Sequence, residues 1–332
     1  MRYFGSKVTA NEVIYEIVKT HAGSGLVCDP FGGIGSVGTY LRSKGYNVWS
    51  GDLLTFAHYF QISKIKFPNE ANFSTLFTKI GVNSLEGINS ILNSVEPKNG
   101  WFVEEYSDRR GFFTRTNAMK IEACRELISG WTREGLLNAD EKAMLLAGLI
   151  SGMDNVANTA GTYYAYLKNW HRKALNPFRF NLVVPSARGG HGQCFHESAD
   201  LLTARNRYNV LYLDPPYNER SYSRYYHLPE TIAKCECPEV KGMSGIPVTG
   251  HVVSGYNSRA SACESLYKML SKAKFNTLLF HYTDNGLIKP KILIDILSEH
   301  GKMSTFTFDA KGYTTRTTAT RTPHKIYVVQ NV

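Results

Sequence analysis

The sequence has little of what marks a membrane or secreted protein. Its longest apolar run, Ala143 to Met153, is far shorter than the roughly 20 residues that a membrane-spanning helix needs. The amino terminus, MRYFGSK, shows neither the apolar stretch nor the small-residue cleavage site of a secretory signal. These absences predict a soluble, cytoplasmic protein with no membrane partner.

Cysteine is also scarce, at 6 of 332 residues. Cys235 and Cys237 form the one close pair of cysteines, and this CxC pair is a poor zinc site. We therefore expect free thiols and no metal. A hydrophobic content of 43% with 20% charged residues excludes a disordered chain, a collagen-like repeat and a coiled coil. The length suits about two domains, or one large α/β domain that carries an insertion.

Acidic residues are outnumbered by basic ones, 28 against 38, which leaves a net charge of +10. From Asn155 to His196 there is no acidic residue at all, and basic side chains are mixed with aromatic ones. This mixture suits a phosphate backbone with unstacked bases, so it predicts a nucleic-acid partner. A basic surface that binds nothing is the alternative. The basic residues of this kind that we single out are Lys168, Arg172 and Lys173, together with Arg316 in the basic carboxy-terminal stretch.

Hydrophobic patterning predicts a parallel α/β sheet. Apolar runs bounded by glycine alternate with a helical pattern over residues 25–50, which is a βαβ unit. The predicted strands are Gly25–Cys28, Asn47–Ser50, Val210–Leu213, Thr277–Phe280, Met303–Phe308 and Lys325–Gln330. The predicted helices are Glu12–Thr20, Gly35–Lys44, Met119–Arg133, Asp140–Met153 and Lys289–His300. We therefore expect a sheet domain from residues 1–55 and 193–332, and a mostly helical insertion, 56–192, for target recognition.

The turn after the first predicted strand is rich in glycine and runs from Asp29 to Gly38. Glycines between a strand and a helix let the backbone approach a ligand, and the helix offers unpaired N–H groups. Residues 33–38 fit GxGxxG, and Asp52 follows the second strand, where an acid can bind a ribose diol. A dinucleotide site is therefore one possibility, and a turn without a ligand is another. Asp29 argues against a pyrophosphate, because its charge suits an ammonium group better.

The tetrapeptide Asp214-Pro215-Pro216-Tyr217 directly follows the strand VLYL. The carboxyl ends of parallel strands share one crevice, so it should face the glycine-rich turn. Two prolines remove N–H donors and leave rigid carbonyls beside a carboxylate and an aromatic ring. Such a site can accept hydrogen bonds from an exocyclic amino group while Tyr217 stacks on the base. A strand-to-loop turn with a packed tyrosine is the alternative.

In this order, the motifs resemble the S-adenosylmethionine-dependent DNA N6-adenine methyltransferases of the D12 (Dam-like) type. The amino-terminal RYFGSK, the turn DPFGGIG, Asp52, Asp200 in HESADLL and the tetrapeptide DPPY carry the resemblance. It implies a Rossmann-like class I methyltransferase sheet. By this resemblance the cofactor-binding residues are Tyr3, Ser6, Lys7, Asp29, Pro30, Phe31, Gly33, Gly35, Asp52, Leu53, Asp200 and Asp214. The catalytic residues are Asp214, Pro215, Pro216 and Tyr217.

The resemblance also implies the reaction, a methyl transfer to N6 of an adenine flipped out of duplex DNA. Double-stranded DNA is then the expected substrate, and a cognate restriction endonuclease is a candidate partner. Arg220 and Arg224, just past the tetrapeptide, are placed to meet phosphates near that base. Methylation of RNA or of cytosine N4, an NAD-dependent oxidoreductase and a nucleic-acid-binding protein without catalysis remain alternatives. DPPY favours adenine, because N4-cytosine enzymes more often have serine in its first position.

Overall fold

The computed structural model of the protein describes residues 1–66, 72–184, 189–310 and 322–331. The chain divides into two compact units, each built from several segments of the sequence. The sheet unit comprises Gly5–Gln61, Ser186–Ser221 and Val252–Val332. The helical unit comprises Met1–Phe4, Ile62–Pro185 and Tyr222–His251.

Seven of the described strands form the central sheet of the sheet unit. They are β1 (Leu26–Asp29), β2 (Asn47–Gly51), β3 (Gly192–Phe195), β4 (Arg207–Leu213), β7 (Lys274–Tyr282), β8 (Lys302–Ala310) and β9 (Thr322–Gln330). Their order across the sheet is β3-β2-β1-β4-β7-β9-β8. The first five strands are parallel, whereas β9 pairs antiparallel with both β7 and β8. The sheet is therefore mixed, and its antiparallel part lies at one edge.

Helices cover the faces of the central strands β1, β4 and β7, which explains why most residues of these strands are buried. The helices of the sheet unit are α1 (Asn11–Ala22), α2 (Ser36–Ser43), α3 (Thr55–Gln61), α9 (Ala199–Ala204), α12 (Ala262–Leu270) and α13 (Pro290–Ser298). Val27, Cys28 and Leu211 in the central strands are fully buried. One face of the sheet packs with α12 and α13 through Leu266, Leu293 and their neighbours.

The helical unit is built around two long helices, α7 (Arg115–Arg133) and α8 (Ala139–Asn155). Its other helices are α4 (Ser74–Ile80), α5 (Leu85–Ser94), α6 (Trp101–Val103), α10 (Tyr222–Tyr225) and α11 (His227–Lys234), and β5 (Val240–Lys241) and β6 (Ile246–Pro247) form a short hairpin. Single turns of 3-10 or π-helix occur in both units, at Val8–Ala10, Ile62–Lys66, Glu104–Asp108, Arg172–Leu175 and Gly255–Asn257.

Glu141 stabilises the start of α8 by accepting hydrogen bonds from two backbone N–H groups. Asn138 caps the helix through its side chain, and the Glu141 carboxylate accepts from the backbone N–H of Asn138 at 3.0 Å, which completes a capping box. Its other oxygen accepts from the backbone N–H of Phe73 at 2.7 Å. Glu141 is 4% exposed, so both donors would lose their partner without it.

The replacement Glu141→Ala should therefore lower the free energy of unfolding by about 2–3 kcal/mol, the sum of a lost cap and an unpaired buried donor. Urea unfolding measures the change. The matched control is Glu134→Ala at the exposed end of α7, for which we expect a change within about 0.5 kcal/mol. Equal values for the two variants would contradict the capping role of Glu141.

The predicted fold class is confirmed, and the predicted elements lie within a few residues of their observed bounds. The two compact units have other bounds than the predicted domains, because residues 56–61 group with the sheet unit, and residues 1–4 and 222–251 group with the helical unit. In that unit the ring of His227 hydrogen-bonds the carbonyl of Tyr163, and Tyr106 donates to the carbonyl of Gly245. No described helix is long and apolar enough to cross a membrane.

Candidate active site

The two predicted motifs follow neighbouring strands. Strands β1 and β4 are paired in parallel, with Val27 opposite Val210 and Cys28 opposite Leu211. Asp29 ends β1, and Asp214 directly follows β4. From β1 the chain moves outward through β2 to β3 and then returns to β4 on the other side of β1. Such a switch point opens a crevice at the carboxyl ends of the strands, where ligands bind in open α/β sheets.

Asp214 is held by Lys7. The Nζ atom of Lys7 lies 2.5 Å from Oδ2 of Asp214, and the two side chains are 7% and 13% exposed. Lys7 also donates to the carbonyl of Gly5 at 3.0 Å, which fixes its direction. Oδ1 of Asp214 is buried and has no hydrogen-bond partner among the described residues. Burial raises the pKa of Asp214, and the Lys7 ammonium opposes that rise.

Asp29 is buried among other carboxylates. Burial, and then the negative charges of Asp214 and Asp52, raise the pKa of Asp29 to about 8, while Lys7 lowers it. Its Oδ1 atom has no hydrogen-bond partner among the described residues, whereas the backbone N–H of Phe31 donates to the carboxylate. A buried carboxylate with an open acceptor and two acidic neighbours is a favourable place for a cation.

The glycine-rich turn is held in a conformation that larger residues rarely adopt. Gly33 and Gly35 have φ of 50° and 77°, in the left-handed region. A Cβ atom on Gly32 would lie 2.2 Å from Oγ of Ser50, so the backbone runs directly against the end of β2. Gln61, which is fully buried, donates to the carbonyl of Gly33 at 2.8 Å. The turn is thus fixed before any ligand binds.

Asp52 fixes the same turn from the end of β2. Its Oδ2 accepts from the N–H of Gly33 at 3.0 Å, and its Oδ1 accepts from the N–H of Leu54 at 2.9 Å. Beside it, the carbonyl of Leu53 bonds the ring of His196 at 3.0 Å. A carboxylate has about four acceptor positions, so Asp52 can bind these amides and a ligand hydroxyl together.

Asp200 lies in the first turn of α9 and is linked to the glycine-rich turn through Tyr256. The Tyr256 hydroxyl donates to Oδ1 of Asp200, at 3.0 Å. The Tyr256 ring meets Phe31 edge to face, with 5.0 Å between ring centroids. The Asp200 residue is exposed, so its carboxylate is open to a ligand.

Tyr217 is partly buried and lies against the next strand. Its ring contacts Tyr282 of β7 edge to face at 6.4 Å, and the Lys7 ammonium lies 5.7 Å from its centroid. Pro215 is buried and Pro216 half-buried.

The hydroxyl of Ser6 forms a hydrogen bond with the hydroxyl of Ser36, the first residue of α2, at 3.1 Å. Pro30 and Gly35 are buried in the glycine-rich turn.

The remaining predicted residues are placed in different parts of the chain. Tyr3 lies in the helical unit, where its ring stacks on Tyr226 at 5.0 Å. Lys168, Arg172 and Arg224 are exposed in the helical unit, and Arg220 is exposed in the sheet unit. Lys173 is half-buried, and its Nζ donates to the carbonyl of Asp154 at 2.9 Å. Arg316 lies outside the residues that the structure describes.

Three polar side chains of neighbouring strands are linked by hydrogen bonds; Tyr212 and His281 are buried, and His324 is half-buried. The Tyr212 hydroxyl is 2.9 Å from Nδ1 of His281, and Nε2 of His281 is 2.9 Å from Nδ1 of His324. Burial, reinforced by the charge of Lys7, holds the pKa of His281 well below its usual range, so this ring is neutral. These hydrogen bonds join β4, β7 and β9 behind the crevice.

Sequence reasoning missed Gln61 and Tyr256, which support the predicted residues from a second layer. Gln61 lies at the end of a helix and Tyr256 in a loop that returns from the helical unit, and neither belongs to a motif. Patterns of spacing detect a strand followed by a glycine-rich turn, but they do not show which distant side chain packs on it.

The donors and acceptors of the crevice fit S-adenosylmethionine. This cofactor has an ammonium and a sulfonium charge, a ribose diol and an adenine with an exocyclic amine. The open oxygen of Asp29 suits the ammonium group, Asp52 the diol and Asp200 the amine. The left-handed Gly33 and Gly35 leave this part of the turn without side chains. Within the described residues, no group of three His, Cys, Asp or Glu side chains could hold a metal ion.

Comparisons with known proteins agree with this geometry. The chain is similar to the Type II methyltransferase M.FokI of Planomicrobium okeanokoites, with 32% identity over 314 residues, 92% of this chain and 48% of that protein. It is 29% identical over 303 residues to the modification methylase LlaI of Lactococcus lactis subsp. lactis, covering 89% of this chain and 48% of that protein. Thus the chain spans about half the length of these two relatives.

A third relative is matched over nearly its whole length. The Type II methyltransferase M.NlaIII of Neisseria lactamica is 28% identical over 310 residues, 91% of this chain and 89% of that protein. The family model for D12 class N6 adenine-specific DNA methyltransferases matches residues 3–284, which include both motifs. The chain belongs to the D12 class N6 adenine-specific DNA methyltransferases.

Proposed function

We propose that the protein transfers a methyl group from S-adenosylmethionine to the exocyclic N6 of an adenine in duplex DNA. The observation that carries this proposal is the state of Asp214 at the switch point. One of its oxygens is held by Lys7, and the other is a buried acceptor without a partner. A buried, oriented acceptor beside a cation site is what an amine substrate and a cationic cofactor together require.

In this proposal three acids bind the cofactor. Asp29 pairs with its ammonium group, Asp52 accepts from the ribose hydroxyls, and Asp200 accepts from the adenine amine. When bound, S-adenosylmethionine would supply a methyl group on a positively charged sulfur: the sulfur–carbon bond breaks as the carbon bonds to the amine nitrogen, S-adenosylhomocysteine leaves, and one amine proton is lost to solvent. Lys7 donates to the carbonyl of Gly5 and pairs with Oδ2 of Asp214, so it orients that carboxylate.

The tetrapeptide holds the base that accepts the methyl group. Oδ1 of Asp214 and the carbonyl oxygen of Pro215 accept hydrogen bonds from the two N–H bonds of the amine, and Tyr217 stacks on the ring of the base. Two acceptors draw the amine toward tetrahedral geometry and direct its lone pair at the methyl carbon. Burial raises the pKa of Asp214, and the Lys7 ammonium opposes that rise, which favours the carboxylate form that accepts hydrogen bonds.

The target base must leave the duplex, since its amine is out of reach within the stack. Flipping the base costs a few kcal/mol, and contacts between the protein and the flanking DNA must offset this cost. The exposed Lys168, Arg172, Arg220 and Arg224 are the residues that we assign to phosphate contacts, with Arg316 as a further candidate. Lys173 makes a weaker candidate, because its ammonium already donates to a backbone carbonyl.

The wider role follows from the relatives, whose names describe Type II and modification methyltransferases. We infer that this chain protects DNA at a specific site in the cytoplasm, beside a cognate restriction endonuclease. Of the two ligands raised by the glycine-rich turn, S-adenosylmethionine is favoured over a dinucleotide by the carboxylate at Asp29 and by the family to which the chain belongs.

Transfer of a labelled methyl group tests the proposal. The purified protein is incubated with S-adenosylmethionine labelled in its methyl group and, separately, with duplex DNA of mixed sequence and with RNA. We expect label in DNA and none in RNA, with a steep loss as salt rises, because phosphate contacts release counterions. Label in RNA alone would show that the substrate is RNA. Binding of DNA without any methyl transfer would show a nucleic-acid-binding protein without catalysis.

A further inference from the structure

The loop that re-enters the sheet unit contains two adjacent side chains that contact both sides of the crevice. They are Tyr256 and Asn257, at the end of the single 3-10 turn Gly255–Asn257. Neither belongs to a sequence motif. Tyr256 is 5% exposed and belongs to the core that packs under the sheet.

Tyr256 contacts the cofactor side of the crevice. Its hydroxyl lies 3.0 Å from Oδ1 of Asp200 and 3.2 Å from the carbonyl of Ser265. Its ring packs edge to face on Phe31 of the glycine-rich turn. One side chain therefore orients the acid assigned to the cofactor's adenine and supports the turn assigned to its methionine end.

Asn257 contacts the substrate side. Its Nδ2 group donates to the carbonyl of Asn218 at 3.2 Å and to the carbonyl of Arg220 at 3.0 Å. Asn218 directly follows Tyr217, so this amide holds the loop that leaves the catalytic tetrapeptide. Both donor hydrogens of the amide are used on that loop.

Hydrogen bonds and close packing hold the turn that contains the two residues. The Ser254 side chain accepts from the N–H of Tyr256, and the carbonyl of Ser254 accepts from the N–H of Asn257 at 3.1 Å. Ser261 donates to the carbonyl of Gly255 at 2.7 Å. A Cβ atom on Gly255 would lie 2.5 Å from Oγ of Ser265, so the turn sits tightly against α12. The turn therefore holds both side chains in fixed positions.

We propose that Tyr256 and Asn257 are positioning residues that tie the cofactor-binding acid Asp200 to the loop behind the catalytic tetrapeptide. The proposal rests on the proposed function. Tyr256 acts through Asp200 and Phe31 on cofactor affinity. Asn257 acts through the backbone of residues 218–220 on the placement of Tyr217 and the target base. The two residues should therefore affect different kinetic quantities.

The experiment compares Tyr256→Phe, Asn257→Ala and Asn257→Asp in the full chain. The matched control is Tyr267→Phe, which removes a hydroxyl from a half-exposed tyrosine of α12. Affinity for S-adenosylhomocysteine is measured by calorimetry, and kcat and KM for DNA by labelled methyl transfer. Thermal unfolding of each variant shows whether the fold is retained.

We expect Tyr256→Phe to raise the dissociation constant for S-adenosylhomocysteine by about tenfold, as for a lost hydrogen bond to a charged group. Asn257→Ala should leave that constant within about twofold and lower kcat by about tenfold or more, as a misplaced reacting group does. Asn257→Asp has the same shape but presents an acceptor to two carbonyls, so it should be at least as slow as Asn257→Ala.

Three results would overturn the assignment. They are an unchanged dissociation constant in Tyr256→Phe, an unchanged kcat in Asn257→Ala, and full activity in Asn257→Asp, which would show that the shape of the side chain suffices. Failure of the proposed function is distinct, because the unaltered protein would then transfer no methyl group to DNA. The calorimetric comparison of Tyr256→Phe with Tyr267→Phe still tests the cofactor half of the assignment in that case.

Discussion

Replacing Asp214 by alanine is expected to abolish methyl transfer while leaving cofactor binding nearly intact. The variant loses the carboxylate that we assign to accept from the target amine, and removing one preorganised hydrogen-bonding group beside a reacting atom costs about 10²–10³ in kcat. Cofactor affinity should change by only a few-fold, because the groups assigned to bind the cofactor most directly are Asp29, Asp52 and Asp200. Single-turnover transfer and calorimetry with S-adenosylhomocysteine measure the two quantities.

Two further variants sharpen this result. Asp214→Asn keeps the shape of the side chain but replaces one acceptor with a donor, so we expect a loss close to that of Asp214→Ala. Asp284→Ala removes an exposed carboxylate that pairs with Lys325 in the same unit and should keep full activity. An Asp214→Ala protein that is folded and still transfers methyl groups at the normal rate would contradict the assignment of Asp214.

The second large effect is expected at Asp29. The variant Asp29→Asn keeps the size of the side chain but removes the charge that pairs with the cofactor's ammonium group. We expect its affinity for S-adenosylmethionine to fall by about 10- to 100-fold, the range for a hydrogen bond between charged groups. Calorimetry measures the change. Unchanged affinity would remove Asp29 from the cofactor site.

The pH dependence of binding gives an independent check on Asp29. Because the pKa of Asp29 is raised to about 8 without ligand, the carboxyl carries a proton at neutral pH. An ammonium ligand favours the ionised carboxylate, so binding releases that proton. Affinity should therefore rise as the pH approaches about 8 in the unaltered protein, and this rise should be smaller in Asp29→Asn. The same slope in both proteins would contradict this account.

The same pKa also affects the stability of the protein without ligand. The folded protein keeps a proton on Asp29 between the usual aspartate pKa and about 8, where the unfolded chain has lost it. The contribution of Asp29 to the free energy of unfolding is thus fully present below the usual aspartate pKa and is lost as the pH rises from there toward 8. A bound cofactor should remove this loss of stability, because its ammonium group stabilises the ionised Asp29 carboxylate.

The central strands and both motifs were predictable because they depend on local sequence. VLYL and GLVC are apolar runs that read as buried strands, and each is followed by residues with special backbone properties, Asp-Pro-Pro or Asp-Pro-Phe-Gly-Gly. The rule that parallel strands share one crevice then predicts that Asp29 and Asp214 lie near each other. Their electrostatic coupling in the structure agrees with that inference.

What could not be predicted depends on contacts between distant segments. The antiparallel direction of β9 has no signature in its own residues, because an apolar strand can pair either way. The grouping of residues 222–251 with the helical unit depends on single contacts such as that of His227 with the carbonyl of Tyr163. The ion pair between Lys7 and Asp214 joins residues that are 207 positions apart in the sequence. Only the folded chain brings such pairs together.

The most direct test of the central claim identifies the methylated nucleoside. Duplex DNA treated with the protein and S-adenosylmethionine is digested to nucleosides and analysed by mass spectrometry, with Asp214→Ala treated in parallel. The account predicts N6-methyladenine in the DNA and none above background with Asp214→Ala. N4-methylcytosine in its place, or N6-methyladenine formed equally by Asp214→Ala, would contradict it.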